Sequence, residues 1–135
     1  MLEVTLWVLQ VLLALAFLAH GWLFLSPPAN LVEQMNASIA PGFRLFIGGA
    51  EVLAAVGLTV PAVTRIQPWL VPCAAAGLTV VMVGATVFHL ARNEVSSAVI
   101  TAILLGLAVF VAYARWKVRP ILPRRVRERA ASQAP

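Results

Sequence analysis

Five ionisable side chains sit in or against long apolar stretches of this 135-residue chain: His20, Arg44, Glu51, His89 and Arg92. Glu51 stands out. It lies in GGAEVLAAVGLTVP, residues 48–61, where every other side chain is apolar, absent or a single hydroxyl. Imidazole exchanges protons near neutrality, and a carboxylate joins it once burial raises its pKa. Arginine adds a fixed cation that can pair with the acid. The chemistry these types support is proton relay or the binding of a small polar molecule. Two histidines and a carboxylate are also ligands zinc accepts, but nothing in the spacing requires a metal and none is expected.

Composition says what surrounds these groups. Hydrophobic residues make up 61% of the chain and charged residues 11%, against about 25% charged in a soluble domain. Too little polar surface is available to cover a water-facing globule, so the chain reads as an integral membrane protein. The net charge of +5 is concentrated at one end. Seven of the ten basic residues are Arg115, Lys117, Arg119, Arg124, Arg125, Arg127 and Arg129. A basic cluster directly after an apolar segment fits the positive-inside rule, and no nucleic-acid partner is expected. Cys73 is alone, which excludes an intrachain disulfide and a cysteine-based zinc motif.

The elements that position the five residues follow from the bilayer. A hydrocarbon core about 30 Å thick takes about 20 apolar residues of helix. Four segments qualify: about 4–25, 43–60, 69–91 and 96–114. Helix is required because lipid cannot satisfy a free backbone. The expected fold is all-α, an antiparallel bundle of four transmembrane helices over residues 1–118, with 119–135 a disordered or interfacial basic tail. Ser26-Pro27-Pro28 should end the first span and Pro61 the second. Arg92-Asn93-Glu94 should turn the third into the fourth. NLVEQMNASI in the long first connection suits a short interfacial helix. The first run has no basic residue ahead of it and exceeds the usual ~7–15 residues of a signal peptide, so it is expected to be retained as a span.

The basic tail places the C-terminus in the cytoplasm, and four spans place the N-terminus there too, in a plasma-membrane protein. His20, Arg44, Glu51, His89 and Arg92 then share the outer half of the membrane although they come from three helices. Glu51 should lie roughly 13 Å deep at 1.5 Å per residue. A charge at such depth costs roughly 2.5–3.5 kcal/mol and usually faces a bundle interior. Arg44 and Arg92 have the alternative of snorkelling to headgroups. The small residues of spans two and three, Gly48, Gly57, Ala74 and Gly84 among them, suit either close helix packing or a pocket for a flat ligand.

AHGWLFL in span one, FIGGAEVLAAVGLTVP in span two and AGLTVVMVGATVFHLARNE in span three resemble the DoxX-like family of small four-helix membrane proteins. The resemblance covers about residues 5–115. Its strongest part is Gly48-x-x-Glu51 followed by small and apolar residues and a proline; next is the His-Leu-x-Arg ending of span three. Carried over by that resemblance, the polar motif residues are His20, Glu51, His89 and Arg92. Some relatives are similar to the small subunit of a thiosulfate:quinone oxidoreductase, which implies a redox-associated membrane subunit. The chain departs from many family members in having no basic residue after the first-span glycine.

Three functions are compatible with these residues. The first is a redox-associated subunit that binds a quinone or small oxidised molecule, with Glu51 and a histidine relaying protons. No haem, flavin or iron–sulfur motif occurs, so electrons would come from a partner membrane or redox protein or from the substrate. The second is a non-catalytic scaffold or assembly protein. The third is a passage for small molecules, which would require a homo-oligomer. The residues leave open whether the chain is an enzyme.

Overall fold

A computed structural model of the chain describes residues 1–133. Four long helices make an antiparallel bundle: α1 (Leu2–Leu25), α3 (Pro41–Thr64), α4 (Leu70–Ala91) and α5 (Val95–Tyr113). A short helix, α2 (Ala29–Ser38), lies in the first connection, and α6 (Arg124–Ser132) follows the bundle. No strand occurs among the described residues. The long helices are each long and apolar enough to cross a membrane, the fourth counted through a π-helical turn to Val118. In cyclic order α1 packs on α3, α3 on α4, α4 on α5, and α5 closes against α1. Leu13, Phe17, Leu58, Leu78, Met82 and Val111 fill the centre. Large apolar side chains such as Leu53, Val80 and Ile100 remain on the outside, where the bilayer is their solvent.

Helix ends follow the proline and turn chemistry, with one correction. Pro41 occupies the first turn of α3, where its missing N–H is no loss. Arg65 ends that helix in the left-handed conformation (φ 58°). Pro61, expected to end the second span, is instead carried inside α3, which runs on to Thr64. Pro61 supplies no N–H to its turn, but Gln10 of α1 donates to the neighbouring carbonyl of Leu58. Polar donors from adjacent helices make interior prolines tolerable in membranes. Threonines satisfy their own hydroxyls within a helix: Thr59, Thr79 and Thr86 donate to the carbonyl four residues back. Thr86 and Thr101 also bond across α4 and α5 at 3.0 Å.

Two glycines set how closely α1 and α3 approach. A Cβ added at Gly21 would lie 2.8 Å from Gly48 O, and one at Gly48 would lie 2.9 Å from Gly21 O. The backbones of the two helices therefore touch at this level, and only glycine fits on either side.

Candidate functional site

The Gly21–Gly48 contact sets the site. His20 is the residue before Gly21, and Glu51 is three residues after Gly48, so helix approach brings their side chains together. His20 Nδ1 and Glu51 Oε2 are 2.6 Å apart. A single proton joins them, either as an imidazole N–H donating to the carboxylate or as a carboxyl O–H donating to the ring. Glu51 is 1% exposed, whereas the His20 side chain is 49% exposed. Glu51 Oε1 is buried and has no partner among the described residues. The acid is thus reached through the histidine. The His20 ring also rests on Phe24, with centroids 4.4 Å apart.

His20 forms part of the wall of a cavity of about 360 Å³, together with Phe24, Phe43, Ile47, Ala85 and Phe88. The Ser38–Ala40 link between α2 and α3 completes that wall. A volume of this size with mostly apolar and aromatic walls and one convergent polar group is the usual form of a small-molecule site. The walls present three phenylalanine side chains and one imidazole to whatever occupies the cavity.

The other three expected residues are used differently. Arg44 is buried on α3 but does not pair with Glu51. Its Nη1 donates to Phe24 O in the last turn of α1. Helix geometry explains why: the ordinary donor to Phe24 O would be residue 28, and Pro28 has no N–H. Arg44 therefore caps α1, and a cation suits a helix C-terminus. His89 and Arg92 join neither His20 nor Glu51. Both donate to Glu94 at the head of α5, His89 Nδ1 at 2.6 Å and Arg92 Nε at 2.8 Å. The Arg92 guanidinium lies 5.3 Å from the Phe88 ring centroid. These contacts clasp the α4–α5 turn, whose Asn93 adopts φ 59°, a conformation asparagine tolerates. The Arg92 guanidinium first, and the His89 ring after it, hold the Glu94 carboxyl below its ordinary pKa. With His89 elsewhere, no group of three or more metal-ligand side chains forms among the described residues.

A second polar cluster went unread in the sequence. Arg115, counted there with the basic tail, turns inward at the bundle end that holds the termini; its side chain is 1% exposed. It donates to Glu3 Oε1 at 2.7 Å and to Gln10 Oε1 at 3.0 Å, and its guanidinium lies 5.5 Å from the Trp7 ring centroid. Gln10 passes the connection on to α3 through Leu58 O. The available signals were a lone glutamine inside an apolar run and the register of Arg115, seven residues after the buried Ala108 and four after the buried Val111.

Compared with models of known protein families, residues 8–111 match the DoxX-like family. No curated protein and no solved structure matches the chain.

Proposed function

The chain belongs to the DoxX-like family, and from that premise and the geometry around His20 we propose a small redox-associated membrane subunit. It binds a quinone head group in the His20 cavity and exchanges protons with it through Glu51. The observation that carries this reading is a carboxylate 1% exposed whose one hydrogen-bond partner lines a cavity of about 360 Å³. An acid is costly at that depth, and a cavity beside its half-exposed partner is more than a structural tie requires. Reduction of a quinone to its quinol takes up two electrons and two protons. His20 delivers one proton to the carbonyl oxygen beside it and Glu51 reprotonates the imidazole; the second proton comes from water, and a partner redox protein supplies the electrons. The test is thermal unfolding of the purified protein with a benzoquinone. Saturating ligand at 100 times Kd stabilises by about 2.7 kcal/mol, so the midpoint rises in the native chain and stays put in Glu51→Gln. No rise with any quinone removes the proposal.

A scaffold role has its own support, because Arg44, His89 and Arg92 are all taken up in caps and clasps. A stable partner that co-purifies equally with the native chain and Glu51→Gln, with no quinone response in either, would favour it. For orientation we place both termini in the cytoplasm, at the plasma membrane. The support is the exposed arginines of α6, by the positive-inside rule. A cysteine at Ser132 in a Cys73→Ala background should react with an impermeant reagent only after the membrane is opened. Labelling of intact cells reverses the placement.

A further inference from the structure

The His20 cavity lies on a seam that continues along the molecule. Phe43 and Ile47 of α3 face Gly84, Ala85 and Phe88 of α4 there. One helical turn closer to the termini, the same two helices flank a second hollow of about 490 Å³, open to the outside of the bundle, where Leu53 and Val60 rim it. Ala50, Ala54 and Gly57 line it from α3, and Ala74, Gly77 and Val81 from α4. The steps Ile47, Ala50, Ala54, Gly57, Pro61 and Phe88, Ala85, Val81, Gly77, Ala74 are of three or four residues. Such steps keep side chains on one helix face, so both hollows share one seam. From Ile47 to Pro61 it extends about 21 Å at 1.5 Å per residue.

The seam is polar at one end only. His20 stands at its head with Glu51 behind, whose Oε1 is buried and without a partner among the described residues. The side chains lining the second hollow are apolar apart from the Cys73 thiol. Glycine leaves space along the seam: nothing lies within 4 Å of a Cβ built on Gly84 in the His20 cavity or on Gly77 in the second hollow. At its floor the helices touch, a Cβ on Gly57 falling 2.8 Å from the Ala74 Cβ.

We infer that the ligand is a membrane lipid with a hydrogen-bonding ring for a head and a long apolar tail. The head lies beside His20 and the tail along the α3–α4 seam. This rests on the function proposed above and narrows it, since a water-soluble oxidant would leave the seam unused. A second copy of the chain or a phospholipid acyl chain would also cover an apolar groove, but neither accounts for its lying in line with a cavity walled by a histidine.

The experiment compares a tailless dimethoxy-benzoquinone with its decyl-tailed counterpart in nanodiscs, at equal mole fraction in the bilayer. The decyl compound should bind the native chain about tenfold more tightly, a difference of about 1.4 kcal/mol. Gly77→Leu should abolish that preference and leave the tailless compound unaffected. Gly84→Leu should weaken both, and Gly106→Leu on α5, also in open space, should change neither. Unfolding midpoints near the native value show that the variants fold. Equal binding of both compounds by the native chain, or a tail preference that survives Gly77→Leu, overturns the tail site. The function proposed above would still stand if the tailless compound bound and needed Glu51. A change of oligomeric state in Gly77→Leu with tail preference intact assigns the seam to a second copy and likewise overturns the inference. Binding of neither compound ends both.

Discussion

Glu51 gives one carboxylate oxygen to His20, while Glu94, in the α4–α5 turn at the same end of the bundle, gives both of its oxygens to neighbours. The difference separates an acid with capacity to spare from one that is fully used. Glu94 carries a testable pH signature. Arg92 and then His89 depress its folded-state pKa, so its contribution to stability is full above the ordinary glutamate value of about 4.3. That contribution is lost as pH falls from there through the lower folded value. Unfolding midpoints of the native chain should therefore drop on acidification through that window, and those of Glu94→Gln should drop less. Identical acid slopes would show that the clasp adds nothing. At this scale the sequence marked Glu51 and Arg44 as ionisable groups inside an apolar run, and both are buried, whereas the buried Arg115 was hidden among the basic residues of the tail. It could not choose their partners. Arg44 was drawn to a carbonyl that Pro28 leaves without a donor, and His89 to an acid five residues on; both are local competitions that a shared membrane depth does not reveal.

Among the helices, the close approach of α1 and α3 at Gly21 and Gly48 fixes the distance between imidazole and acid. Gly21→Ala or Gly48→Ala would place a methyl group 2.8–2.9 Å from a backbone oxygen. Overpacking of this kind costs about 1–3 kcal/mol. Both variants should unfold at lower temperature in detergent and lose quinone response as His20 moves away from Glu51. Gly49→Ala, one residue away and facing open space, is the control and should behave as the native chain does. Native-like melting of Gly21→Ala would remove this contact from the account of the site. The four helices themselves were legible, since a bilayer forces helix on any apolar run long enough to span it. The passage of α3 through Pro61 was not. Pro61 frees the Gly57 carbonyl, and the helix continues within the bundle, where Gln10, 48 residues from Leu58 in sequence, donates to the next carbonyl, Leu58 O.

Across the whole molecule, the His20 cavity and the Arg115 cluster sit at opposite ends of one bundle. The Arg115 cluster joins α1, α3 and α5, which otherwise touch mainly through apolar side chains. Its charges are unequally sheltered: the Arg115 side chain is 1% exposed and that of Glu3 is 50% exposed. Removing one partner of a buried pair is damaging when it leaves the other charge buried and alone, at about 3–5 kcal/mol for a fully buried pair. Glu3→Gln strands a buried cation, with only the carbonyl of Arg119, the Gln10 amide oxygen and the Trp7 face for company. Arg115→Met removes that cation and leaves an acid that water can reach. The smaller-looking change should thus be the more harmful. We expect Glu3→Gln to destabilise by about 2 kcal/mol, discounted from the buried-pair range because Glu3 is half in solvent. Arg115→Met should cost less than that, and the double variant should match Arg115→Met alone. Equilibrium unfolding of the four proteins in mixed micelles measures the cycle. If Arg115→Met is the worst of them, the guanidinium stabilises through packing and its bond to Gln10 rather than through its charge being matched by Glu3.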